Sequence, residues 1–204
     1  IENTTPHELR PIIKNAVLAW NIAFEEAGFI DAIEVKIQPD DADWSAGDIR
    51  YNVLRWTSSP NPPFGGYGPS FTNPRTGEIL GADIMLEWIY LTNRVRYSEI
   101  FENQEIREND FCHNSLIKQE NRIFGKLATE ALDLNENEIS RLYEEDLYQL
   151  ILHEVGHTLG LNHNFAASTL HNNSDVHNPE ITYKEGLSSS VMDYHALNLS
   201  LIHI

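Results

Sequence analysis

His153-Glu154-Val155-Gly156-His157-Thr158-Leu159-Gly160-Leu161-Asn162-His163 carries the densest chemical signal in this 204-residue chain. On an α-helix His153 and His157 lie one turn apart on the same side, so both imidazoles can reach one metal ion. A straight helix could not bring His163 back to that ion. Gly160 offers the break: with no Cβ it can adopt a left-handed conformation, end the helix and let the chain double back. His163 then supplies a third nitrogen. Three imidazoles with a fourth position open describe a catalytic zinc site, not a closed structural one. Glu154 stands beside the first ligand, offset around the helix, where a carboxylate can take a proton from metal-activated water.

Outward from this stretch, the pattern predicts a helix that starts within residues 135–140, with Glu136 and Glu138 near its positive end. It continues through Leu142, Leu147, Leu150, Ile151, Val155 and Leu159, apolar over much of its circumference as a central buried helix should be. Asp146 and Gln149 share the histidine side and are candidates to accept the second N–H of a ligand imidazole, with backbone carbonyls as equal alternatives. Residues 164–190 lack periodicity and are rich in Asn, Ser and His. Phe165 is expected in the core beneath the site, and His171 and His177 are expected as exposed polar residues, not a second metal site. Ser190-Val191-Met192-Asp193-Tyr194 closes the readable sequence.

The two motifs together resemble those of the metzincins, zinc endopeptidases with an HExxHxxGxxH helix and a Met-containing turn, here in an SxMxY form similar to astacins and serralysins. The resemblance implies that Met192 packs beneath the imidazoles without binding metal, and that the Tyr194 phenol approaches the metal and hydrogen-bonds an oxyanion. It also implies an antiparallel edge strand, best matched by Gly68, Pro69, Ser70, Phe71 and Thr72, along which an extended peptide pairs. The expected fold is α+β: a twisted mixed sheet with an antiparallel edge, a backing helix, an active-site helix and a small irregular C-terminal subdomain. A looser likeness covers Trp20 to Phe29, Asp48 to Tyr51, Gly68 to Ser70 and Pro74 to Ile79. It is to catalytic domains of large, multidomain bacterial zinc-dependent metalloproteases, thought to be secreted or envelope-associated. Other domains of a parent chain are therefore expected as partners.

Composition sets the outer bounds. The length suits one catalytic domain, expected over residues 1–198, with an upper part to 160 and a lower part carrying the Met-turn. The last six residues (199–204) resemble the in-frame translation of a common sequencing adapter and are expected to be a non-native tail. A hydrophobic content of 41% excludes a disordered chain, and a net charge of −17 argues against nucleic acid and anionic membranes as partners. Cys112 is the single cysteine, so no internal disulfide forms. No run is long and apolar enough to span a bilayer.

In the upstream half, residues 8–28 carry helical periodicity through Ile12, Ile13, Ala16, Val17, Trp20, Ala23 and Phe24, with Pro11 in the first turn and Gly28 as the stop. Strands are expected at 33–37 and 48–56. Asp40, Asp41 and Asp43 form an acidic loop for which calcium is a weak possibility beside an ordinary solvated turn. Residues 58–68 read as a Pro/Gly-rich surface loop. Asn73-Pro74-Arg75-Thr76-Gly77 is turn chemistry between strands at 69–72 and 79–87, a hairpin. Residues 88–131 read as a polar insertion, helical in patches at 98–107 and 115–132, that could cover a cleft. His113 there reads as a surface residue.

The function these features imply is zinc-dependent hydrolysis of internal peptide bonds, with Glu154 as general base and a peptide or protein as substrate. Two alternatives stay open: a zinc exopeptidase or amidase acting on cell-wall peptides, and a catalytically silent zinc-containing binding module.

Overall fold

The computed structural model describes residues 1–59, 65–88 and 136–195, except the side chains of 136–139 and 142. The expected insertion at 88–131, with Cys112 and His113, falls almost wholly outside these residues, as does the tail at 199–204.

Four strands, β1 (Val53–Thr57), β2 (Gly66–Tyr67), β3 (Ser70–Thr72) and β4 (Ile79–Glu87), form a mixed sheet centred on β4. β1 runs parallel to β4, with Leu54 opposite Ile84 and Trp56 opposite Leu86. β2 and β3 run antiparallel along its other side, with Tyr67 opposite Met85 and Ser70 opposite Ala82. The architecture is α+β, consistent with a metzincin-like fold.

The predicted hairpin is present. Asn73 accepts the Gly77 amide at 2.8 Å on its carbonyl and the Arg75 amide at 2.9 Å on its side chain, while Gly77 takes φ +75°. Left-handed backbone at that position is what glycine supplies without steric cost.

Helices α1 (Arg10–Glu26) and α2 (Glu136–Thr158) pack against each other, and α2 packs against β4 and β2. Ile13 and Ala16 of α1, Leu147, Leu150, Ile151 and Val155 of α2, Leu54 and Trp56 of β1, and Ile84 and Leu86 of β4 make one buried cluster. Full burial of each large aliphatic side chain there stabilises by about 1.5–3 kcal/mol. The Trp20 indole N–H donates to the Leu152 carbonyl at 3.2 Å and pins α1 to the ligand helix at mid-length. Both helices end alike. Gly28 (φ +91°) follows α1, with Phe29 N–H on Phe24 O and Gly28 N–H on Glu25 O; Gly160 (φ +89°) follows α2 with the equivalent pair of bonds. These are Schellman caps, which satisfy the last carbonyls of a helix through a left-handed residue.

Three sequence expectations change. Residues 33–37 do not form a strand: their backbone bonds go to Ile1 and the Asn21 side chain, so no ladder forms. β1 starts at Val53 and not at Asp48, because the Asp48 carboxylate accepts the Arg50 amide and guanidinium and bends 48–51 into a turn. That pairing holds the Asp48 carboxyl down at about 2. The Asp40–Asp43 loop is a solvated turn and calcium is not supported: among the described residues the group of three or more potential ligands is the histidine one.

On β4, Asp83 accepts the Val53 amide at 3.1 Å; its partial burial pushes the carboxyl up, against the opposing pull of that amide and of Arg55. Glu87, buried at the end of the same strand, is satisfied by the Thr57 and Ser59 hydroxyls and the Ser59 amide.

Candidate metal centre

The cap at Gly160 builds the site. Gly160 N–H bonds His157 O at 2.9 Å and Leu161 N–H bonds Gly156 O at 3.0 Å, which reverses the chain within two residues. The reversal has two effects on ligands. It carries His163 back to the helix face, and it turns the Leu161 carbonyl onto His157 Nδ1 at 2.9 Å. His153 Nδ1 meets the Val191 carbonyl at 2.7 Å. A carbonyl only accepts, so in both rings Nδ1 carries the proton and Nε2 keeps its lone pair. Backbone carbonyls thus hold the outer nitrogens of these two imidazoles.

Ligating nitrogens of His153, His157 and His163 all lie within 4.8 Å of one another. His157 Nε2 and His163 Nε2 are 3.1 Å apart. Two nitrogens bound to one tetrahedral zinc at ~2.0–2.1 Å are separated by roughly 3.3 Å, so this pair already stands at a shared-ligand distance. The donor set fits zinc: three imidazoles, two with their outer N–H groups fixed by acceptors. Tyr194 brings its phenol oxygen to 2.6 Å from His163 Nε2, close enough to face the same point.

Residues 190–194 pack against the ligand helix and the segment after His163. Met192 is 2% exposed and its carbonyl accepts the Asn164 amide at 2.9 Å, tying the turn to the residue after the third histidine. Met192 meets the helix at Gly156, where a methyl group would overlap its sulfur and stand 3.2 Å from Trp20. Gly156 therefore has a packing reason that the bare motif does not reveal.

Phe165 corrects an expectation. It is 59% exposed, not in the core, and its ring centroid lies 5.3 Å from that of Tyr194 and 5.4 Å from that of His163. The 3-10 turn Phe165–Thr169 buries Ala167 instead, which leaves the phenylalanine at the rim of the site. His171 bonds the Gly186 carbonyl at 2.8 Å and His177 is exposed, and among the described residues neither belongs to a group of potential metal ligands. The lower region also holds a short helix α3 (Pro179–Glu185), capped by Asn178, that its weak periodicity did not announce.

Residues 135–202 match a family model described as Met-zincin. That segment is similar to metzincins. The Met-zincin stretch covers a third of the chain, from the start of α2 through the Met-turn, and contains all three histidines, Glu154, Met192 and Tyr194. No curated protein and no solved structure matches the chain.

Gly68 is buried against Glu154, Ser70–Thr72 is β3, and Phe71 and Thr72 are exposed. Among the described residues only β4 pairs with β2 and β3. Glu154 itself is fully buried, one residue from His153 and beneath residues 66–68.

Proposed function

We propose that this Met-zincin segment, with the sheet above it, is the catalytic part of a zinc endopeptidase. The observation that carries the reading is the convergence of three imidazole nitrogens, two fixed in tautomer by backbone carbonyls, beside a buried carboxylate. A structural zinc site has no use for that carboxylate.

His153, His157 and His163 would hold the ion. When bound, zinc supplies a Lewis acid that brings the acidity of water toward neutrality and polarises a carbonyl. Glu154 accepts a proton from the attacking water and returns it to the leaving amine. Tyr194, hydrogen-bonded to His163 in this structure, donates its phenol proton to the oxyanion that develops on the substrate. The substrate backbone extends along residues 68–72, whose outer side is unpaired among the described residues, and gains main-chain hydrogen bonds there. No covalent acyl-enzyme arises, since water is the nucleophile. We propose in addition a secreted or cell-envelope location, as the resemblance implies; fractionation of the source cells tests it.

The test is incubation of the purified protein with a diverse peptide library, with and without chelator, beside Glu154→Gln. Chelator-sensitive cleavage at internal bonds, reduced at least ~100-fold in the variant, is expected for loss of a general base. Trimming confined to termini would replace the endopeptidase with an exopeptidase, and zinc uptake without turnover would leave a binding module.

A further inference from the structure

Gly65-Gly66-Tyr67-Gly68 passes through the sequence as loop composition, yet the fold gives two of these glycines one task. Residues two apart in extended chain face the same way. Gly66 and Gly68 are both buried, and both face α2 at Glu154. A Cβ on Gly68 would stand 2.6 Å from the Glu154 carbonyl oxygen and 3.3 Å from Oε2. A Cβ on Gly66 would stand 3.2 Å from Glu154 Oε1 and 3.3 Å from both Leu150 methyls. The first distance is one that real side chains do not tolerate against backbone, so the strand would have to lift away. The second demands a shift of tenths of an ångström from the carboxylate or from Leu150.

We propose that Gly66 and Gly68 are positioning residues for Glu154: their bare backbone forms the roof that fixes where the carboxylate points. The proposal rests on Glu154 being the general base. Its consequence concerns register. The backbone that roofs the carboxylate continues directly into residues 68–72, and β2 and β3 are both fastened to β4. The base and the edge where a peptide would lie are therefore held by one rigid piece of chain, and a side chain at 66 or 68 changes the distance between them.

Gly66→Ala and Gly68→Ala in the full chain test this, with Gly47→Ala as control, since a Cβ there meets only Ser45 Oγ at 4.0 Å. Zinc content and the visible spectrum of the cobalt-substituted protein should be unchanged in all three, because no histidine is touched. Affinity for acetohydroxamic acid, whose hydroxyl hydrogen needs a carboxylate acceptor beside the metal, should fall about 100-fold in Gly68→Ala, as expected for a displacement approaching 1 Å, and by less, about 10-fold, in Gly66→Ala, where the shift is tenths of an ångström. On a cleaved peptide, kcat should fall by similar factors and by more than KM rises.

If hydroxamate affinity and kcat in both variants stay within twofold of the unsubstituted protein, the proposal is overturned. Loss of zinc or of the cobalt spectrum in Gly66→Ala, the milder change, would put the effect on the fold and overturn it as well. Failure of the peptidase reading looks different: the unsubstituted protein would bind zinc and hydroxamate but cleave nothing, and the hydroxamate series would still report on the roof.

Discussion

Gly28 and Gly160 form a matched pair that separates stability from metal binding. Both follow a helix in a Schellman cap, at φ +91° and +89°. A methyl on Gly28 would meet nothing within 4 Å, and one on Gly160 would meet Ile79 Cδ1 at an ordinary 3.4 Å. Crowding is therefore negligible at both, and the cost of alanine is that of left-handed backbone, about 1–2 kcal/mol. The lower entropy of the unfolded alanine chain returns ~0.4–1 kcal/mol. The net loss is roughly 0–1.6 kcal/mol for each, or at most about 6 °C in Tm for a domain of this size. The two should look alike by thermal unfolding of the metal-free protein.

They should differ in zinc affinity. Gly160 delivers His163 and aims the Leu161 carbonyl at His157, whereas Gly28 serves neither ligand. Loss of an orienting partner on a ligand typically costs 10–100-fold in metal affinity, and Gly160→Ala disturbs that partner and the path to a second ligand together. Competition titration with a chromophoric chelator should show Gly28→Ala within twofold of the unsubstituted protein and Gly160→Ala at least ~10-fold weaker. Equal zinc affinities in the two variants would refute the claim that the cap builds the site.

Three further outcomes follow from the packing and the charges. Gly156→Ala drives a methyl into Met192, so overpacking of about 1–3 kcal/mol should outweigh the ~1 kcal/mol of helix propensity gained; combined with Met192→Ala the two losses should add to less than their sum in a denaturant double-mutant cycle. Asp83 has a carboxyl raised from 3.8 mainly by desolvation, so its contribution is most favourable below that value and is lost as pH rises through the raised one. Asp83→Asn, which keeps an acceptor for the Val53 amide, should raise Tm near neutral pH, with the gain vanishing once the medium is more acidic than the unfolded carboxyl's own pKa. Zinc present at 100 times its Kd should stabilise the protein by about 2.7 kcal/mol, and chelator should return Tm to the metal-free value.

Much of the site was legible in the chain because it is local. Two histidines four apart share a helix face by helical geometry alone, Gly160 announces a cap, and Asn73 to Gly77 announces a hairpin; each rests on contacts within a few residues. The periodicity of 8–28 likewise marks the helix that became α1 and names Ile13 and Ala16 among its inward residues. Where partners are distant, local pattern misled. Residues 33–37 have strand composition but found only Ile1 and Asn21 to bond, and Phe165 has core composition but lies at a rim because Ala167 took the buried place.

The sequence by itself determined which side chains could bind a metal and in what order the chain would present them. Tertiary structure decided how they are held. Val191 orients His153 across 38 positions of sequence, Met192 fills the space that Gly156 leaves, and Gly66 and Gly68 close over Glu154. The physical reason is that carbonyls and missing side chains are common to every stretch of chain: their chemistry carries no signature until folding sets a particular one against a particular neighbour.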